Sequence, residues 1–330
     1  MDTYAIDLTA QIPGLTFRNL RDAEDYEALA QLIEASHLAD GDEWLPDGAS
    51  LRVELEHEAG FDPRMDVLFA EVHGELVGYV QSSRQVRDGV AVYTTVGTVH
   101  PGYRRRGLGR TLLRRSEARL RDIATRHAED SERAYGSWTG DREAGARELL
   151  TSEGYRPVRY GFAMIRGDLE RLPDARLPGG LEMRPVEPDH LRPIFDATNE
   201  AFRDHWGHRE STDEDFEGLV AMPNLDPTLW RVAWDGDEVA GSVQTFVWHH
   251  ENEKLGVRRG WFETISVRRP WRRQGLARAL IVEAMKALRE ADLAEAMLGV
   301  DAENPSGALH LYEDLGFTVK DSGTTYRKSW

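Results

Sequence analysis

The chain has 330 residues, 40% hydrophobic and 30% charged, with a net charge of −17 from 41 basic and 58 acidic side chains. It contains no cysteine, which excludes disulfides, thiolate metal sites and a cysteine nucleophile. No run approaches the roughly 18 apolar residues of a membrane span, the opening residues carry Asp2 and Asp7, unlike a signal peptide, and so acidic a surface repels nucleic acid and anionic membranes. These features predict a cytoplasmic protein with no nucleic-acid and no membrane partner, long enough for two domains.

In chain order, Leu15–Leu20 reads as a first strand and Asp22–Ser36 as a helix. Val67–Gln81 reads as a hairpin around His73-Gly74, followed by a strand over Val90–Val99, a basic Gly-rich turn and a helix. The segment Gly167–Gly180, with two prolines and a Gly-Gly pair, ends regular structure and predicts domains at 1–172 and 173–330. The order then repeats. A strand near Leu181–Val186 precedes helices over Leu191–Phe202 and around Asp213–Met222, and a hairpin spans Trp230–Gln244 around Asp235-Gly236. A strand over Gly260–Val267 and a second Gly-rich turn follow, then a helix with the apolar stripe Leu276, Leu280, Ala284 and Leu288. Ala296–Val300 reads as a strand, and a last helix ends at Gly316. The predicted class is α+β: two tandem domains, each a mixed, mostly antiparallel sheet flanked by helices. His249-His250, before a charged stretch, reads as the solvent end of a hairpin.

The two turns are copies. Val99, Arg104 and Gly107 recur as Val267, Arg272 and Gly275, a constant offset of 168 residues. Both fit Arg-x-x-Gly-x-Gly/Ala after a strand and before a helix, an arrangement that offers backbone N–H groups and a helix N-terminus to a phosphate. Arg104, Arg105 and Arg106 in one copy, with Arg268, Arg269, Arg272 and Arg273 in the other, gather positive charge within an acidic protein and point to an anion. Neither copy has the spacing of a dinucleotide fingerprint or of a P-loop.

With its leading valine, the pattern resembles the acetyl-CoA signature of the GNAT N-acetyltransferases, and the order of elements extends the resemblance over nearly the whole chain. The two-domain arrangement is similar to that of the mycothiol synthases within that family. The resemblance implies acetyl-CoA as co-substrate, with the strand end pairing with pantetheine and the turn amides holding the pyrophosphate. It implicates Ile265, Val267, Arg272, Arg273, Gln274, Gly275, Leu276, Ala277 and Arg278 in the second copy. In the first copy it implicates Val99, Arg104, Arg105, Arg106, Gly107, Leu108 and Gly109. Asn304, Ala308, Leu311, Tyr312, Gly316 and Phe317 match the family's second signature, which makes Asn304 a cofactor contact and Tyr312 the general acid near the thioester sulfur.

A departing thiolate resembles a thiol of pKa ~8.5, which a phenol of pKa ~10 can protonate or hydrogen-bond. In the first half Leu150 stands where the second has Tyr312, and Arg142 where it has Asn304, so the amino-terminal half is expected to be catalytically degenerate. Glu263 lies on the strand where many family members keep a base, although several keep theirs two residues earlier, here Trp261. Strict alternation puts Glu263 on one face with Trp261 and Val267, and its first-half counterpart is Thr95. His205 and Trp206, with His208, fall where the family shapes its acceptor pocket. His205, His208 and Glu210 lack the HExxH spacing, and no metal is expected. The expected reaction is direct acetyl transfer to a primary amine of a small molecule, by a monomer or homodimer. A non-catalytic acyl-CoA sensor and an acetyltransferase for protein N-termini or lysines are the alternatives.

Overall fold

The computed structural model describes residues 10–87, 89–127, 132–304 and 307–330. These form two compact units: the described residues up to Val158 with Gly323–Trp330, and those of Arg159–Ser322.

The first unit runs β1 (Leu15–Asn19), α1 (Glu24–Asp40), α2 (Gly48–Glu56), α3 (Pro63–Asp66), β2 (Val67–Val72), β3 (Glu75–Arg87), β4 (Val90–Val99), α4 (Leu108–Ala124), β5 (Arg133–Gly140) and α5 (Ala144–Ser152). Next come β6 (Arg156–Arg166), β7 (Glu182–Met183), α6 (Leu191–Phe202), α7 (Asp213–Ala221), β8 (Arg231–Asp235), β9 (Glu238–Phe246) and α8 (His249–Leu255). The chain ends with β10 (Arg259–Val267), α9 (Leu276–Glu290), β11 (Glu295–Asp301), α10 (Ala308–Asp314) and β12 (Thr318–Ser329).

The first unit's sheet has the order β1-β2-β3-β4-β5, followed by the Gly323–Ser329 part of β12; the second unit's has β6-β11-β10-β9-β8-β7. Most pairings are antiparallel, whereas β4–β5 and β10–β11 are parallel. The expected mixed sheet flanked by helices is therefore present in both units. The units trade strands. β6 lies before the Pro-Gly segment 167–180, yet its Gly161–Arg166 pair with β11, while Gly323–Ser329 close the far edge of β5.

Apolar periodicity explains the helix placements. Leu276, Leu280, Ala284 and Leu288 are sealed in one cluster with Phe262, Ala296 and Leu298. Gly260 allows this approach, since a Cβ there would lie 2.3 Å from Leu288 Cδ2. In the first unit α4 buries Leu108, Leu112 and Leu120, and also the carboxylate of Glu117. That charge is not isolated: Lys328 Nζ lies 2.7 Å away and the Tyr155 hydroxyl donates at 3.1 Å. Both ligands matter because an unpaired buried carboxylate is costly. Trp330 stacks on Tyr135, with ring centroids 4.6 Å apart. His249 and His250 do not end a hairpin; they open α8, whose Glu251 is buried and whose C-cap Gly256 is left-handed.

Deleting Gly323–Trp330 removes the outer partner of β5, the cation beside Glu117 and the ring over Tyr135. Hydrogen exchange is expected to show lost protection across Arg133–Gly140 while Arg231–Phe246 keeps its own; equal loss in both segments would contradict this assignment.

Candidate acyl-transfer site

In each unit the two parallel strands part. β10 pairs with β11 only from Arg259 to Phe262, opposite Glu295 to Leu298, and β4 pairs with β5 only from Ala91 to Thr95. Beyond those points Glu263–Val267 and Val96–Val99 lose their parallel neighbour and keep only the antiparallel one. The edge so opened carries backbone donors and acceptors for an extended amide-bearing ligand.

The Gly-rich turn follows directly. In both copies an arginine and then a glycine adopt the left-handed conformation: Arg105 (φ 63°) and Gly107 (φ 83°), Arg273 (φ 63°) and Gly275 (φ 86°). The glycine is the N-cap of the next helix. Among the described residues no acceptor meets the backbone N–H groups of Arg273, Gln274, Gly275, Leu276, Ala277 and Arg278, or those of Arg105 through Arg110. Orphan amides at a helix N-terminus form an anion cradle.

Arg272 braces this cradle. Its Nε donates to Val267 O at 2.9 Å, Nη2 to Ala201 O at 2.9 Å, and Nη1 to Asp204 at 2.6 Å. Arg104 repeats the brace, reaching Val99 O at 3.1 Å and both oxygens of Asp40 at 2.7 Å. Much of the positive charge read from the sequence is thus neutralised: Arg268 pairs with Glu200, Arg269 with Asp204 and Arg105 with Glu148. Hydrogen bonds from Arg269 and Arg272 hold the Asp204 carboxyl well below its usual range. Arg273 has no carboxylate partner among the described residues.

Tyr312 lies on α10 in the cluster that contains Leu276, the first residue of α9, and Val300 of β11; Ile265 and Val267 of β10 pack against that cluster. It is 7% exposed, and its hydroxyl has no hydrogen-bond partner among the described residues yet is not sealed from solvent. Burial pushes the phenol up to about 12, which keeps it protonated as a donor. Leu150 occupies the same place in the first unit. Phe317 N donates to Tyr312 O at 3.0 Å and Tyr155 N to Leu150 O at 3.0 Å, each across a left-handed glycine, Gly316 or Gly154. Asn304 sits in the turn between β11 and α10, its N–H on Asp301 O at 3.1 Å.

Strict alternation breaks at Glu263: Trp261 and Glu263 both bond at α8, whereas Val267 does not follow them. The β9–β10 register slips between Phe262 and Thr264, so Glu263 is the extra residue of a β-bulge. After the bulge Ile265 and Val267 pack with the Phe262 cluster, whereas Glu263 Oε1 accepts the Trp248 indole N–H at 2.8 Å. The side chain is exposed although much of the protein lies around it. This desolvation raises its pKa above the usual carboxylate range, opposed by the Trp248 hydrogen bond. No bulge interrupts β3–β4, and Thr95 is sealed there with its hydroxyl on Ser116 at 2.7 Å.

The stretch after α6 supplies the remaining candidates. His205 is half-buried, packs on Phe202, and has its pKa lowered first by desolvation and then by Arg272. Trp206 is exposed under the Arg159 guanidinium, 5.2 Å from its ring, and Arg159 bonds Asp301, the last residue of β11, and Glu303 just after it. Glu210 is held by Arg203, and no group of three potential metal ligands occurs among the described residues. Sequence reasoning passed over Trp248. The helix signal that fixes it was legible: acidic Glu251 in the first turn, Lys254 in the last, then Gly256.

The model of the acetyltransferase (GNAT) family matches residues 27–136 and 191–317. Mycothiol acetyltransferase of Geodermatophilus obscurus is 31% identical over 92% of this chain and 94% of its own. That of Streptomyces bingchenggensis is 29% identical over 91% and 92%. Among solved structures, a GCN5-related N-acetyltransferase from Sphaerobacter thermophilus has a TM-score of 0.70 and 28% identity, covering 96% of both chains. A tandem GNAT protein from the clavulanic acid biosynthesis pathway shares the fold, with a TM-score of 0.69 and 16% identity over 96% of this chain and 98% of that one. A family match in both halves, joined to splayed strands and an amide cradle in both, places the chain in the GNAT acetyltransferase family as an acyl-CoA-dependent N-acetyltransferase with two copies of the domain.

Proposed function

We propose that the chain transfers an acetyl group from acetyl-CoA to the primary amine of a small molecule, and that the second unit does the chemistry. The observation that carries this reading is the buried Tyr312 phenol with an unpartnered hydroxyl, in the cluster against which Ile265 and Val267 pack. The names of the relatives make the acceptor of mycothiol acetyltransferase the first candidate.

Acetyl-CoA supplies an acyl group activated as a thioester. In this reading the amides from Arg273 to Arg278 hold its pyrophosphate, with Arg273 as the nearby cation, while Asn304 and the open edge of β10 hold the rest of the carrier. Arg272 keeps the turn in shape from behind. The acceptor amine attacks as a free base: a C–N bond forms, the C–S bond breaks, Glu263 takes the proton from nitrogen, and Tyr312 donates to the departing sulfur. His205 and Trp206 border the acceptor.

The first unit keeps the cradle and lacks the chemistry. Leu150 cannot donate a proton, and Thr95 is sealed in a hydroxyl network. We assign it a binding or supporting role.

Tyr312→Phe is expected to lower kcat by ~10²–10⁴, with the KM for acetyl-CoA little changed, when CoA release is followed over a panel of amino sugars, amino-acid amides and diamines. Disrupting Gly107 by valine should leave turnover largely intact, whereas Gly275→Val should not; the reverse pattern would move the active centre to the first unit. No thiol release on any amine, with acetyl-CoA still bound, would favour a sensor. For pH, a base must be deprotonated, so a Glu263 whose pKa burial raises gives a kcat that falls at higher pH than an ordinary carboxylate would allow. Glu263→Gln should remove that acid limb and most of the rate.

A further inference from the structure

We propose that Trp248 is a positioning residue for acyl transfer, its indole N–H holding Glu263 Oε1 so that Oε2 alone faces the acceptor's proton. The inference rests on the reading of Glu263 as the base. Nε1 of Trp248 lies 2.8 Å from Oε1, and no described residue meets Oε2. A β-bulge re-aims a side chain out of the strand's regular alternation, and the side chain that meets the Glu263 carboxylate there is the Trp248 indole.

Trp248 is itself fixed. Its ring stacks on Phe246, with centroids 5.5 Å apart and planes inclined by 16°. It is the N-cap of α8, and α8 is anchored from beneath. Trp261 Nε1 donates to Glu251 at 2.9 Å, Asn252 Nδ2 to Arg259 O at 2.8 Å, and Arg259, 1% exposed, lies 3.6 Å from Glu251 and bonds Glu295 at 3.1 Å. A buried ion pair under a short helix thus sets the height of one indole over one carboxylate.

The titratable groups on the elements that carry this contact are His249, His250, Glu251, Glu253 and Lys254 of α8 and Arg259 of β10. Burial raises the pKa of Glu263, and the Trp248 N–H opposes that rise. Loss of this hydrogen bond therefore has one direction: the charged form loses a donor and the proton is held to higher pH.

The test compares the pH dependence of kcat in wild type, Trp248→Phe, Glu263→Asp and Glu263→Gln, with acetyl-CoA and the fastest amine of the panel, so that the acceptor's own ionisation is common to all. Trp248→Phe keeps a ring on Phe246 and removes the donor. Its acid limb is expected to move up by about one pH unit, roughly a tenfold loss of kcat on the limb, with acetyl-CoA affinity unchanged. Glu263→Asp withdraws the carboxylate from the indole and should move the limb the same way, and it carries the test if the phenylalanine variant does not fold. Limbs unmoved in the variants that fold, while Glu263→Gln abolishes the limb, overturn the role of Trp248 and leave the base intact. A limb that survives Glu263→Gln overturns the base, and the positioning role with it.

Discussion

The parting of two parallel strands is the constraint from which the rest of each unit follows. Parallel strands are joined by a crossover, here α9 between β10 and β11, so the turn that leaves β10 must open a helix. When pairing stops at Phe262 and Leu298, that turn and the free edge of β10 face the same opening. In the proposed function, a ligand with a phosphate end and an amide-bearing arm would meet unpaired main-chain groups along its length, and its recognition would need few side chains.

In the proposed function, catalysis depends on departures from regularity. The bulge at Glu263 breaks the alternation of β10, and the αL glycine at Gly316 ends α10 one turn after Tyr312. The first unit shows the same scaffold without these additions. β4 is regular where β10 is bulged, Thr95 is sealed, and Leu150 takes the place of the phenol. Nothing in its core requires otherwise, because Leu150 packs with Leu113, Tyr155 and Tyr326 as a leucine should.

The sequence displayed what periodicity and glycine can display. Both Gly-rich turns, the hairpins at His73-Gly74 and Asp235-Gly236, and the stripe of α9 were all legible, as was the phenol four residues before Gly316. Glu263 was legible as a residue and not as a direction, since a bulge depends on pairing with β9 and leaves no local mark. β6 and β12 were missed for a related reason. Arg156–Arg166 exposes Val158 and Tyr160 and Thr318–Ser329 is largely polar, so neither alternates cleanly, and such strands are defined by their partners. Trp248 needed both halves of its environment, the helix start and the bulge, before its contact had meaning.

The basic turns are the place where composition misdirects. Seven arginines in an acidic chain suggest that their charge holds the anion, but carboxylates of Asp40, Glu148, Glu200 and Asp204 neutralise most of it. What stays uncompensated is the row of amides, and those amides converge because Arg273 and Gly275 both turn left-handed. A non-glycine residue held at positive φ costs of order 1–3 kcal/mol, and both copies bear that cost at an arginine with the same φ of 63°. The brace from Arg104 or Arg272 to the preceding strand's carbonyl over-determines the turn and offsets the strain. The arginine pattern therefore encodes a backbone shape more than a charge, and the first unit has that shape with Leu150 where the second has Tyr312.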